Sequence, residues 1–215
     1  CGIAQHEGGF VMTAIIDYGV GNLFSLKCSL AAIGEESLVT GEKDEILRAD
    51  RVILPGVGAF ADAYKKLCDT GMDAAVYAAA DAGKPLLGIC LGMQLLFERS
   101  FEYGEHKGLG LLRGEVVGMS GRLPAGLAIP QIGWNALHKT KESRILSKTP
   151  EGGYVYFVHS YFAEGCSDSL AATTDYGLEL TAAVENGNIC GCQFHPEKSG
   201  GVGLDILRAF CEMEG

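Results

Sequence analysis

A chain of 215 residues with 47% apolar and 20% charged residues is long enough to bury a core without disulfides or a structural metal, which excludes the disordered, collagenous and coiled-coil classes. Its 17 basic and 27 acidic residues give a net charge of −10, a sign that argues against nucleic acid or an anionic membrane as the main partner. The longest uncharged apolar run, residues 85–97, falls well short of the ~18–20 residues a membrane-spanning helix needs.

Residues 1–11, CGIAQHEGGFV, show no periodicity and read as an expression scar or a disordered extension, leaving 12–215 as one domain. No secretory signal is visible, and the cysteines are too sparse for a disulfide scaffold, so a cytoplasmic protein with reduced thiols is expected. From Met12 the run MTAII predicts a strand, DYGVGN a turn, and Leu23 to Ile33 a helix with Asn22 as N-cap and Gly34 beyond its end. The pattern repeats: a strand at 37–39, a helix at 42–48, the strand RVIL at 51–54 broken by PGVG, helices at 59–68 and 72–82, and the buried strand PLLGI. Such alternation predicts an α/β fold, a flavodoxin-like arrangement of three layers with a mostly parallel, mixed central sheet. The helix expected from Leu91 runs through LGMQLLFER. Beyond it, strands are expected at 111–118, 133–138, 154–159, 170–174 and 181–185. Asn186-Gly187 then makes a hairpin into 189–194, and 202–212 forms a closing helix.

Cys90 sits in Gly88-Ile89-Cys90-Leu91-Gly92, between an apolar strand and a helix. This is a nucleophile-elbow pattern with cysteine in place of serine, expected to present the thiol at the carboxyl edge of the sheet and to stabilise thiolate at a helix start. A nucleophile needs a base and the base an orienter. Gln193-Phe194-His195-Pro196-Glu197 supplies both if the segment is extended, because residues two apart then project to one side. The same alternation turns Cys190 and Cys192 away from His195, and the spacing of a structural zinc site is missing, so no metal is expected. Pro55-Gly56-Val57-Gly58 opens at the same sheet edge as Cys90, making it a candidate oxyanion loop, with the Leu91 N–H as the second donor. Neither a complete dinucleotide fingerprint, a P-loop nor a G-x-S-x-G elbow occurs.

The pattern G-x-C-x-G followed far downstream by H-P-E resembles the class I, triad-type glutamine amidotransferases. The segments IDYGVGN (16–22), LPGVGAF (54–60), GICLGMQLLFE (88–98), IGWN (132–135), YFVHSY (156–161) and GCQFHPEKSG (191–200) are most similar, within that family, to the glutaminase subunits of imidazole glycerol phosphate synthases. The resemblance implies hydrolysis of L-glutamine to glutamate and ammonia by Cys90, His195 and Glu197, with an oxyanion held at Val57 and Leu91 and no cofactor. It also implies that Gln94, Gly58 and Tyr161 contact the substrate. By the same resemblance, ammonia passes to a (β/α)8 cyclase subunit, the partner in a heterodimer, for imidazole glycerol phosphate formation in histidine biosynthesis, with Trp134 and Lys198 as interface residues. Rotation of the Gly56-Val57 peptide would switch the site on when the partner binds. Two other readings stay open on the residues: a glutaminase subunit of another synthase, such as that of pyridoxal phosphate synthesis, and a non-catalytic flavodoxin-like regulatory module.

Overall fold

Asn22 ends the first turn because its Oδ1 accepts the Ser25 N–H at 3.4 Å, which caps helix α1 (Leu23–Ala32) after strand β1 (Thr13–Ile16). The computed structural model describes residues 12–214, so the reading of 1–11 lies outside the described residues. The chain continues through β2 (Ser37–Thr40), α2 (Lys43–Arg48), β3 (Arg51–Gly56), α3 (Phe60–Asp69), α4 (Met72–Asp81), β4 (Leu86–Cys90) and α5 (Leu91–Leu95). Then come β5 (Phe97–Ser100), β6 (His106–Lys107), β7 (Leu112–Gly118), β8 (Gln131–Ala136), β9 (His138–Lys139), β10 (Tyr154–His159) and β11 (Tyr161–Glu164). β12 (Leu170–Asp175), β13 (Glu179–Asn186), β14 (Ile189–Cys192), a 3-10 turn at Pro196–Lys198 and α6 (Gly200–Cys211) complete it.

The central sheet has eight strands in the order β2-β1-β3-β4-β14-β13-β12-β9. Its first five are mutually parallel and the rest antiparallel, so the expected mostly parallel, mixed α/β sheet is what the chain forms. Alternation along the parallel strands explains why they read as unbroken apolar runs. Ala14, Ile16, Val52 and Leu54 pack on one face with Phe60 and Leu67 of α3 and Met72 and Val76 of α4. Ile15 and Ile53 pack on the other with Leu26 and Leu30 of α1 and Ile206, Leu207 and Phe210 of α6. Both faces are covered, and a strand covered twice has no polar side to show. Among the described residues no helix is long and apolar enough to cross a membrane.

The helix after Cys90 is shorter than its sequence suggests. It stops at Leu95, because the carbonyls of Leu95, Leu96 and Phe97 accept from Leu109, Leu112 and Gly110, and the chain turns into β5 instead. β5 joins β11, β7 and β6 in a separate four-stranded sheet, and β8 and β10 form a two-stranded antiparallel one.

Two glycines fix how α5 meets the sheet. A Cβ on Gly92 would lie 1.9 Å from the Leu54 carbonyl oxygen, and one on Gly88 would lie 2.7 Å from Met93 backbone atoms. Backbone therefore touches backbone where α5 crosses β3 and leaves β4. Gly92→Ala should cost about 3 kcal/mol of unfolding free energy in urea, whereas Gly201→Ala, in open space on α6, should gain up to about 1 kcal/mol.

Candidate active site

Cys90 occupies the last position of β4 with φ 54° and ψ −111°, in the left-handed region that side chains rarely enter. The β3 and β14 strands flank it, Gly56 standing opposite Cys90 in the register with β3. The residue is only 8% exposed, so the thiol is not out on the surface as the elbow pattern suggested. It lines a cavity of about 520 Å³, together with Val57, Gly58, Leu91, Gln94, Tyr161 and His195.

His195 is 2% exposed, and its backbone N–H donates to the Tyr156 carbonyl at 3.0 Å. The expected extended run through Glu197 is not what holds the pair. β14 ends at Cys192, His195 is extended at φ −101°, and Pro196 begins a 3-10 turn because its fixed φ suits a helical first position. That turn brings Glu197 Oε1 to 2.9 Å from His195 Nδ1, with both side chains 3% exposed. β14 itself stops short of His195, but Cys190 and Cys192 share a core cluster with Phe194 while His195 lines the cavity. Both cysteines are buried in the core between the sheet and α6, where burial pushes their thiols up. Among the described residues no group of three His, Cys, Asp or Glu is placed to hold a metal ion.

Glu197 reaches the cavity only through His195, since it does not line it. Burial alone would lower the His195 pKa, but hydrogen bonding and charge from Cys90 and Glu197 outweigh it and push the value up to about 9. A second buried imidazole behaves oppositely. His159 lines the cavity, and burial together with the charge of His195 brings it down to about 4, against the opposing effect of its Nδ1 contact with the Tyr161 carbonyl at 2.8 Å.

Gln94 is committed more deeply than a simple substrate contact. Its Nε2 donates to the Tyr161 carbonyl and to Gln193 Oε1, both at 3.0 Å, leaving only Oε1 to meet a ligand. Gln193, missed by sequence reasoning, is fully buried and directs Nε2 at Cys90 Sγ from 3.7 Å. Glu102 was missed as well. It is the one carboxylate lining the cavity among the described residues, beside Tyr103, whose ring meets Tyr161 edge-on at 6.4 Å. The candidate oxyanion loop is tied down at its start, where Tyr18 Oη donates to the Pro55 carbonyl at 2.8 Å and Gly56 is packed against Gly92.

Trp134 and Lys198 lie outside the cavity. Ile132, Trp134 and Tyr154 stand exposed on the outer side of the β8–β10 pair, whose opposite side buries Val155 and Phe157. Trp134 meets Tyr156 edge-on at 6.0 Å, and Lys198 Nζ sits 6.0 Å from the same Tyr156 ring.

A cysteine at a strand-to-helix elbow, a histidine oriented by a glutamate and a mostly parallel sheet beneath them define a class, and the chain belongs to the class-I glutamine amidotransferase family, whose profile matches residues 14–213. Solved structures with the same fold include one titled a glutamine amidotransferase and the structure of PurLQS from Thermotoga maritima, each 20% identical with a TM-score of 0.72. The first covers 94% of this chain and 97% of its own, the second 93% and 96%. Within the family the chain belongs with the imidazole glycerol phosphate synthase subunits HisH. That of Caldanaerobacter subterraneus is 49% identical over 203 residues, covering 94% of this chain and 98% of the relative. That of Bacillus licheniformis is 50% identical over 202 residues, covering 93% and 95%. That of Wolinella succinogenes is 47% identical over 204 residues, covering 94% and all of the relative. Each is named as one subunit of a larger synthase.

The two imidazoles set opposite pH limits. His195, raised to about 9, adds stability that is complete below about 6.5 and lost as pH climbs to 9. His159, lowered to about 4, adds stability that is complete above about 6.5 and lost as pH falls to 4. Their joint contribution should peak near pH 6.5 in thermal melts. NMR titration should place one histidine near 9 and one near 4, with Glu197→Gln lowering only the former.

Proposed function

We propose that this chain hydrolyses L-glutamine to glutamate and ammonia and hands the ammonia to a cyclase partner subunit for imidazole glycerol phosphate formation. The observation that carries this reading is the strained Cys90 on the cavity wall, with the His195–Glu197 pair acting on it.

His195 carries, as the imidazolium, the proton that Cys90 gives up when Sγ bonds to the side-chain carboxamide carbon, and Glu197 Oε1 holds that imidazolium through Nδ1–H. The negative oxygen that forms is met by the Leu91 and Val57 N–H groups, backbone donors that need no reorganisation of solvent. His195 then gives its proton to the departing nitrogen, the C–N bond breaks, and ammonia leaves a γ-glutamyl thioester on Cys90. The same imidazole next draws a proton from water as its oxygen adds to the thioester carbon. Collapse of that adduct breaks the C–S bond and frees glutamate as Cys90 recovers its proton.

The amino-acid end of glutamine is held by other residues of the same cavity. Glu102, the one carboxylate there among the described residues, takes the α-ammonium, Gln94 Oε1 accepts a second N–H, and Gly58 and Tyr161 shape the pocket. Val57 and Gly58 have room to move: Gly58 has φ +94° with nothing within 4 Å of an added Cβ. Rotation of the Gly56-Val57 peptide, one residue before that open position, aims or withdraws the oxyanion donor. The (β/α)8 cyclase docks on the face bearing Ile132, Trp134 and Tyr154, with Lys198 at its margin, where exposed aromatics suit a buried contact. Val158, paired with Ile132 across the β8–β10 pair, and Ile129 line the same cavity as Val57, which gives the partner a route to the loop.

Glutamate release should be low for the isolated chain and rise at least about tenfold with a histidine-pathway cyclase and its nucleotide ligand present. Cys90→Ala and His195→Ala should each cost about 1000-fold or more in kcat in that complex. Full turnover by the isolated chain would overturn the loop switch, and undiminished turnover in either variant would overturn the mechanism.

A further inference from the structure

Helix α3 begins immediately after the candidate oxyanion loop, and its N-terminus has an unusual partner. The N-cap residue is Ala59, which has no side chain to accept from the first turn. The exposed N–H groups of a helix start need acceptors, and here Glu102, forty-two positions later, supplies one: its Oε2 accepts the Phe60 N–H at 2.5 Å. Glu102 is itself held from behind, since its N–H donates to the buried Ser100 Oγ at 3.2 Å. Its Oε1 has no protein partner among the described residues, and the side chain lines the cavity that contains Cys90.

The loop is therefore pinned at two points. At its start Gly56 is locked in the β3–β4 register and packed against Gly92. At its end Phe60 is fully buried in the core, and its N–H is tied to Glu102. Only Val57, Gly58 and Ala59 lie between these anchors, and Gly58 stands in open space. The orientation of the Val57 N–H is set by where those ends are held.

We propose that Glu102 is a positioning residue for the oxyanion loop as well as the ammonium partner, so that one carboxylate joins substrate recognition to the placement of the oxyanion donor. This rests on the glutaminase reading above. The charge serves the substrate, whereas the hydrogen bond to Phe60 needs only an acceptor. The two roles separate in two variants: Glu102→Gln keeps an acceptor oxygen and loses the charge, and Glu102→Ala loses both.

The test is steady-state glutaminase kinetics in the complex with the cyclase subunit, with amide hydrogen exchange at Phe60 measured on the same proteins. Glu102→Gln should raise KM for glutamine about tenfold or more with kcat within about twofold of the unmodified complex. Glu102→Ala should raise KM similarly and also lower kcat about tenfold, with exchange at Phe60 accelerated at least about tenfold. Equal kcat in the two variants, or a Phe60 amide that exchanges freely in the unmodified protein, would overturn the positioning role even if Glu102→Ala folds poorly. An unchanged KM in both variants would overturn the ammonium contact. Absence of glutamine turnover in the unmodified complex would overturn the glutaminase reading itself.

Discussion

The site depends on a place where two backbones touch. α5 leaves β4 so tightly that Gly92 lies against the Leu54 carbonyl of β3, and Gly88 lies beneath Met93. A side chain at either position would push the helix off the sheet, and Cys90 would move with it. Because Gly56 stands opposite Cys90 in the register and against Gly92, the same contact locates the start of the candidate oxyanion loop relative to the thiol. The thiol and the start of the candidate oxyanion loop thus share one packing constraint, and tolerances of about half an ångström in such a constellation follow from rigid elements more readily than from loops.

Around that contact lies a polar network whose members come from remote parts of the chain. The Tyr161 carbonyl accepts from both Gln94 and His159, Gln94 continues to Gln193, and Gln193 points at Cys90. His159 is kept neutral and His195 is favoured as a cation within one cavity, so environment alone sets two imidazoles of one cavity to opposite charge states. The Tyr161 carbonyl belongs to the four-stranded sheet and Gln94 to the helix on the central sheet, so the network also fastens the cavity wall to its floor.

Much of this was legible in the sequence because the signals were local. The elbow is written in five consecutive residues, the glycines that permit it flank the cysteine, and the parallel sheet follows from apolar runs alternating with helical periods. The end of α5 was not legible: Leu95 to Phe97 have helical spacing, and what stops the helix is competition for their carbonyls by residues 109–112. The geometry of the His195–Glu197 pair was misjudged for a related reason, since a proline favours a 3-10 turn as readily as an extended strand. Glu102 and Gln193 carried no signal at all, because their partners, Phe60 and Cys90, are 42 and 103 positions away.

The dihedral angles at Cys90 carry an implication of their own. A side chain forced to φ 54° gives up roughly 1–3 kcal/mol, a noticeable slice of the roughly 5–15 kcal/mol by which ordinary domains stay folded. Glycine would relieve that burden at once, so a lineage with no need of a sulfur here would have every thermodynamic inducement to discard it. The bend therefore holds, at a standing energetic cost, a side chain that a glycine could replace without strain.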